Sequence, residues 1–318
     1  MRSFIIAAVL AAACEVAPEV PASTTSGTAL ESSLPTAMTP SSTVAEPIQA
    51  PVMEDSTAFL VDFDFDERIW YRDLPGRLDE VSGLAFTTDG RLFAHDDERA
   101  RVHEIDPETA EVGKRFDLGE ELVRGDFEGL AIVDDRFFLI TSTGLLYEFR
   151  EGADRENMRF RLTDTNLADR CEVEGLDYDS EIDALLVACK TTAPERGLVV
   201  LHRLPLEPDA IPLRDLTIRR ADLEAWGIDR SFAPSGVAVT PLGTVLVVSG
   251  RDDALIEVDR DGRVLAAVEL RGGRHPQSEG LAIGPDGIIY ISDERNGKEP
   301  RLTAYGIGDP ETTEGFSS

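Results

Sequence analysis

From about residue 58 onward, short apolar segments alternate with polar turns, and five of these segments open with one recurring phrase. The phrase is Ser or Glu, then Gly, then Leu or Val, as in "EVSGLAF", "DFEGLAI", "EVEGLDY", "APSGVAV" and "QSEGLAI". In the first and last repeats a turn ("TTDG" or "GPDG") and a second apolar run follow. This order predicts a β-hairpin at the start of each repeat.

The spacing of the phrase predicts the fold. The marker glycines are Gly83, Gly129, Gly175, Gly236 and Gly280, which lie 46, 46, 61 and 44 residues apart. Repeats of this length, with about four strands each, are typical of propeller blades. Helical periodicity is nearly absent, apart from one short helix predicted at 220–226. We therefore predict an all-β fold, a five-bladed β-propeller.

The last repeat ends soon after "RLTAYGI" and lacks an outer strand. The strand-like segment "RIWYRDL", residues 68–74, precedes the first phrase and belongs to no repeat of its own. We predict that this N-terminal strand closes the last blade, which would remove a sheet edge and tie the ends of the domain together.

The residues before the propeller predict export. Arg2 precedes an apolar run too short to span a bilayer, and the run ends in "LAAAC", which resembles the lipobox of bacterial lipoproteins. We assign residues 1–13 to a signal peptide, 14–57 to a lipidated Cys14 and a disordered Pro/Ser/Thr linker, and 58–318 to the propeller. The expected location is the bacterial cell envelope; secretion without a lipid, into the periplasm or beyond, is the alternative.

The charge of the chain narrows the classes of partner. The net charge is -30, and removing the N-terminal segment leaves 55 acidic and 30 basic residues. Such a surface repels nucleic acids and anionic lipids but attracts cations. We expect a monomer that binds no nucleic acid, meets the membrane only through its lipid, and has a protein or small-molecule ligand that the sequence does not name.

Carboxylates recur directly before the marker glycine. The first strand of a propeller blade lines the channel, so Glu128, Glu174 and Glu279 would meet at one mouth, with Ser82 and Ser235 at the two remaining positions. Alternatively, each glutamate caps backbone amides of the adjacent blade or simply faces water. Clustered carboxylates raise one another's pKa, so a bound cation is a natural counter-charge.

The second strand of each blade is antiparallel to the first and ends at the same mouth, where the aligned acids are Asp96 and Asp293. Hard oxygen ligands of this kind suit Ca²⁺. The predicted calcium ligands are Glu128, Glu174, Glu279, Asp96 and Asp293.

Cys171 and Cys189 are the only cysteines besides Cys14, and they flank the hairpin that begins with "EVEGLDY". Export to an oxidising compartment and the hairpin register predict a disulfide between them. Two buried reduced cysteines are the alternative.

The repeated "(S/E)GLA" openings and the preceding "DLPGRLDEVSGLAF" resemble the SdiA-regulated domain family, relatives of NHL-repeat propellers, over roughly residues 58–310. The resemblance implies a five-bladed propeller, commonly on exported or membrane-anchored bacterial proteins, with a recurring calcium ion. It implies no established reaction.

Two function classes follow from these patterns. The first is a calcium-binding interaction or scaffold module. The second is a metal-dependent hydrolase (a lactonase, an esterase or a phytase-like enzyme) with its site at the channel mouth. A hydrolase needs a base or nucleophile beside its metal, and Asp96, Asp293 or His275 would have to serve.

The predicted anchor can be tested directly. We expect the mature protein to partition with membranes, and Cys14→Ser to release it or leave it uncleaved, because the cysteine is the acylated residue. Fractionation and mass analysis of the mature N-terminus check this. A wild-type protein that is wholly soluble with an unmodified N-terminus contradicts lipidation.

Overall fold

The computed structural model describes residues 58–192, 197–207, 209–229, 231–271 and 273–308. Cys14 and the segments assigned to residues 1–57 lie outside the described residues. The strands, in chain order, are β1 (Trp70–Asp73), β2 (Val81–Phe86), β3 (Leu92–Asp96), β4 (Arg99–Ile105), β5 (Val112–Leu118), β6 (Phe127–Val133), β7 (Arg136–Thr141), β8 (Leu145–Arg150), β9 (Asn157–Met158), β10 (Phe160–Asp164), β11 (Cys171–Asp179), β12 (Ala184–Thr192), β13 (Leu198–Pro205), β14 (Leu216–Arg219), β15 (Gly236–Val239), β16 (Val245–Ser249), β17 (Ala254–Val258), β18 (Val264–Glu269), β19 (Ser278–Ile283), β20 (Ile289–Asp293) and β21 (Arg301–Tyr305).

Helical structure is brief throughout the described ranges. It comprises one α-helix, α1 (Arg220–Leu223), and three 3-10 turns at Phe59–Asp62, Gly76–Leu78 and Glu224–Trp226. The helix and the last of these turns are consecutive and coincide with the short helix that the sequence predicts.

The strands form five sheets, which are the blades. Their strand orders are β2-β3-β4-β5-β9, β6-β7-β8-β10, β11-β12-β13-β14, β15-β16-β17-β18 and β19-β20-β21-β1. The first strands β2, β6, β11, β15 and β19 contact one another in turn, and β19 contacts β2. The ring is therefore closed, and the predicted five-bladed β-propeller is confirmed.

The last blade is closed as the sequence predicts. Strand β1 pairs antiparallel with β21, and the pairing runs from Trp70 opposite Ala304 to Asp73 opposite Arg301. A second N-terminal attachment lies nearby, because the Glu257 carboxylate accepts hydrogen bonds of 2.8 Å from the backbone N–H groups of both Phe59 and Leu60. Both contacts hold the start of the domain against its final blades.

Burial follows the position of a strand within its blade. The second strands β3, β16 and β20 are buried at every residue, whereas β5 (VGKRFDL) alternates between buried and more exposed positions. The continuous apolar runs therefore mark strands covered on both faces by neighbouring blades. Five apolar clusters fill the spaces between blades, and one of them contains the rings of Phe93, Phe116 and Phe137.

Blade three contains the predicted disulfide. Cys171 at the start of β11 is bonded to Cys189 near the end of β12, with 5.3 Å between their Cα atoms. The pair is buried between blades two and three, among residues that include Leu167 and Val173. The disulfide prediction is confirmed.

The marker glycines make the closest contacts between blades. A Cβ on Gly129 would lie 2.6 Å from the backbone N of Leu176, and one on Gly175 would lie 3.1 Å from the Cα of Gly236. A Cβ on Gly236 would likewise lie close to the Glu279 carbonyl oxygen, and one on Gly280 would lie close to the backbone of the first blade. Backbones can approach this closely only where no side chain separates them.

Four of the five phrases also interrupt the strand pairing. Between the first and second strands, the register shifts between Val81 and Gly83, between Phe127 and Gly129, and over the corresponding positions of β11 and β19. A bulge of this kind leaves residues out of the ladder and re-aims their side chains. The residue before the glycine is therefore a place from which a side chain can leave the sheet.

The close approach of the glycines predicts a stability effect. We expect Gly129→Ala to lower the free energy of unfolding by roughly 1–3 kcal/mol, because the added methyl group would overlap the backbone of the next blade. Gly197→Ala is the matched control, because among the described residues, its chain neighbours aside, no atom lies within 4 Å of its added Cβ. Urea unfolding of both variants checks this, and equal midpoints would mean that the inner ring tolerates a side chain.

Candidate cation site at the channel mouth

Glu128, Glu174 and Glu279 occupy the bulged inner positions of blades two, three and five. Glu174 is 6 % exposed, and the other two are partly buried. The Ser82 hydroxyl donates to Glu128 Oε2 at 3.0 Å, and Lys190 Nζ donates to Glu174 Oε1 at 2.8 Å. Glu128 thus receives a hydrogen bond from a neutral hydroxyl, whereas Glu174 receives one from an ammonium group.

The three carboxyls disfavour one another's charge. Burial, followed by the negative charges of Glu174 and Asp126, raises the pKa of Glu128 to about 9. Burial raises the pKa of Glu174 to about 7 against the opposing effect of Lys190. Burial and the charges of Glu294 and Glu174 raise the pKa of Glu279 well above its ordinary value. Each glutamate thus lies within electrostatic range of a neighbour in the ring.

A second group of acids extends this set toward blade one. Burial and the charges of Glu80, Asp96 and Glu294 raise the pKa of Asp97 to about 7. Burial also raises the pKa of Glu294, which interacts with Glu279 and Glu80. Electrostatic interactions therefore link Asp97, Glu128, Glu174, Glu279 and Glu294, and we call these five carboxyls the acidic row.

Asp97, Glu294 and Lys190 are not among the residues predicted from the sequence, and each directly follows a position aligned at the end of a second strand. Side chains on a strand alternate between faces, so a one-residue error in the aligned position selects the wrong face. The signal was present in the sequence, because the aligned ends of β3 and β20 read "DD" and "DE".

Asp293 lies in the wall of the last blade, in a fully buried network. It accepts a hydrogen bond from Ser278 Oγ at 3.3 Å, and its Oδ2 lies 2.9 Å from His275 Nδ1. The other ring nitrogen of His275 is 2.6 Å from the Tyr305 hydroxyl. His275, Asp293 and Tyr305 are each at most 1 % exposed. This network binds strands together and has no surface available to a substrate.

Asp96 is also buried, with 5 % exposure. Its Oδ2 lies 3.6 Å from Arg99, its Oδ1 has no hydrogen-bond partner among the described residues, and burial raises its pKa. The participation of Asp96 and Asp293 in cation binding stays a prediction.

The spread of the carboxylates limits how a metal could be held. Where side chains are described, Cys171, Cys189 and His202 form the one trio of potential metal ligands whose donor atoms all lie within 4.8 Å of one another. The three glutamates do not form such a trio. A cation could therefore contact all three glutamates only through bridging water or after their side chains move closer together.

The surface of the propeller contains clefts, and one of them borders the carboxylates of the mouth. One of about 470 Å³ lies between blades four and five and is lined in part by Lys190, Arg251, Gln277 and Glu279. It therefore shares Glu279 with the acidic row and contains Lys190, which interacts with that carboxyl. A larger cleft of about 750 Å³ follows the outer strand β1 and contains neither of these residues.

The fold and the acidic mouth define the class of this protein as a five-bladed propeller with an ionisable channel opening. The chain belongs to the SdiA-regulated family, whose sequence profile matches residues 59–297.

Solved structures share the propeller architecture. Glutaminyl cyclase from Myxococcus xanthus is 18% identical, with a TM-score of 0.54 over 76% of this chain and 97% of that chain. A luciferin-regenerating enzyme is 10% identical, with a TM-score of 0.50 over 75% of this chain and 96% of that chain. At these identities the likeness informs the fold alone.

None of the helices in the described ranges has the length and apolar character needed to cross a membrane.

The shifted pKa values predict a stability maximum in mildly acidic solution. The folded state keeps protons on carboxyls such as Glu128 that the unfolded chain loses, so stability falls as pH rises from about 4.5 toward about 9. Burial lowers the pKa of His95 to about 4 and of His103 to about 3. Below about pH 6.5 the unfolded chain protonates these histidines while the folded state keeps them neutral, so the free energy of unfolding decreases as pH falls.

Replacing Glu128 with a neutral side chain separates the effect of the carboxyl on stability from that of the histidines. We expect Glu128→Gln to flatten the alkaline decline, whose slope per titrating group is at most about 1.4 kcal/mol per pH unit. The measurement is the urea midpoint at several pH values, with the exposed Glu67→Gln as control. An unchanged alkaline slope would show that the Glu128 carboxyl ionises freely in the folded state.

Proposed function

We propose that this protein is a calcium-binding interaction or scaffold module, exported and held at the cell envelope through Cys14. The observation that carries the proposal is the set of buried or partly buried Glu128, Glu174 and Glu279, whose pKa values are all raised. Lys190 favours the ionisation of Glu174 and Glu279 but does not offset the effect of burial. A divalent cation would supply the missing positive charge.

The chemistry of the site favours a hard cation over a soft one. The available groups are carboxylate and hydroxyl oxygens, which suit Ca²⁺. Calcium also accepts six to eight ligands in a flexible geometry that commonly includes water. A partly hydrated ion therefore fits carboxylates that are spread around the opening. Ionisation of these carboxyls on binding would release protons, so affinity should increase with pH.

The cleft between blades four and five gives this module a place for a ligand. Glu279 lines that cleft, and so do Lys190 and Arg251, two cations on a strongly acidic domain. A ligand with an anionic group could contact them next to the bound ion. Occupation of the cation site would then change the charge that the ligand meets.

Calcium binding predicts a change in stability. An ion that binds only the folded protein adds about 2.7 kcal/mol at about 100 times its Kd. We expect Ca²⁺ to raise the melting midpoint, chelator to reverse the rise, and Glu174→Gln to reduce it, with Glu67→Gln behaving as wild type. The rise should be larger at pH 8 than at pH 6. If chelator has no effect and calorimetry detects no binding at millimolar Ca²⁺, the glutamates are a structural rim.

A metal-dependent hydrolase is the second candidate. The observation that favours it is the cleft that shares Glu279 with the acidic row, because a substrate bound there would lie beside a cation. His275 and Asp293 are too deeply buried to act on that substrate. A screen of lactones, aryl esters and phosphate esters, with and without Ca²⁺, tests this candidate. Turnover that depends on Ca²⁺ and is lost in Glu279→Gln would favour the enzyme.

A further inference from the structure

We propose that blade three carries a second, redox-gated metal site: after reduction of the disulfide, Cys171, Cys189 and His202 bind one Zn²⁺. The two sulfur atoms and a ring nitrogen of His202 already lie within 4.8 Å of one another. Three neighbouring strands position them, because Cys171 begins β11, Cys189 is in β12 and His202 is in β13. The pairing of β11 with β12 and of β12 with β13 thus holds the three ligand-bearing backbone positions next to one another.

The hydrogen bonding of His202 supports a ligand role. Its Nδ1 lies 2.8 Å from Asp215 Oδ2, whereas its Nε2 is buried and has no hydrogen-bond partner within the described ranges. His202 is 4 % exposed, so an unpaired ring nitrogen is costly there. A carboxylate that orients one ring nitrogen while the other binds metal is the usual arrangement at zinc sites.

The ligand set and its surroundings favour zinc. Two thiolates and one imidazole form a soft donor set suited to Zn²⁺, and three protein ligands leave a fourth position for water. Cys171 also lines a cleft of about 280 Å³, which gives this face of the blade access to solvent. The oxygen-rich channel mouth has the opposite preference, so the two sites would select different metals.

The redox step requires a dithiol reductant. One thiolate of the reductant attacks a sulfur of the Cys171–Cys189 bond, and its second thiol resolves the mixed disulfide. The reductant leaves as a disulfide after supplying two electrons and two protons, which yields two cysteine thiols. On metal binding both thiols release their protons to solvent, and Zn²⁺ keeps its oxidation state. The oxidised pair has no thiolate to offer, so the disulfide closes the site.

The test uses the full chain with Cys14→Ser, which removes the unrelated thiol. We expect the phosphine-reduced protein to bind one equivalent of Co²⁺ with a thiolate-to-metal charge-transfer band that added Zn²⁺ abolishes. The oxidised protein should show no such band, and carboxylates at the mouth cannot produce it. Absence of the band after complete reduction, as measured by thiol titration, overturns the proposal.

Two variants distinguish a built site from thiolates that bind metal in an unfolded chain. We expect His202→Gln and Asp215→Asn each to weaken Zn²⁺ binding by about 10-fold or more, because one removes a ligand and the other its orienting partner. The exposed Asp209→Asn should bind as the parent does. If Asp215→Asn and Asp209→Asn have equal affinities, the folded blade contributes nothing and the proposal fails.

Discussion

The rest of the structure depends on the close packing of the marker glycines around the channel. In each blade a Cβ on the marker glycine would lie within 3.4 Å of the backbone of the next first strand, and at Gly129 it would overlap the backbone of Leu176. Five such contacts form a closed series, because Gly280 of the last blade meets the backbone at Gly83 of the first. The ring can close at five blades only if its inner strands remain this near to one another. The repeat spacing places one such glycine in each blade, and the pairing of β1 with β21 completes the last blade of the ring.

The same packing explains the chemistry of the mouth. Because the glycine stays at the contact, the residue before it lies at a bulge beside the opening, where Glu174 is buried and Glu128 and Glu279 are partly buried. Buried acids elsewhere have well-matched partners: Asp179 is bound by the Arg260 guanidinium and Glu257 by two backbone N–H groups. Glu128 accepts a hydrogen bond from the Ser82 hydroxyl, but burial and the charges of Glu174 and Asp126 outweigh it and raise its pKa to about 9. The mouth is thus a place where the fold tolerates poorly compensated charge.

Much of this architecture could be predicted because it repeats. Five phrases in register indicated five blades, the short final repeat indicated closure by residues 68–74, and the hairpin between Cys171 and Cys189 indicated their disulfide. The outer members of the acidic row could not be assigned as reliably. Bulges shift the pairing at the decisive positions, so an alignment of strand ends selected Asp293 although Glu294 interacts with Glu279. Local register depends on backbone geometry that the spacing of glycines does not encode.

If the proposed cation site exists, protons and cations would be alternative occupants of this opening. Lys190 supplies a single positive charge, which is shared between Glu174 and Glu279, so most of the negative charge needs another counterpart. At neutral pH a carboxyl whose pKa is about 9, as for Glu128, retains its proton and needs no counter-ion. A cation that displaces this proton gains a ligand but must supply the free energy of ionisation in a partly buried site. At the proposed site the acidity of the surrounding solution would therefore set the affinity for a cation, and the sequence supplies carboxyls at three of the five inner positions.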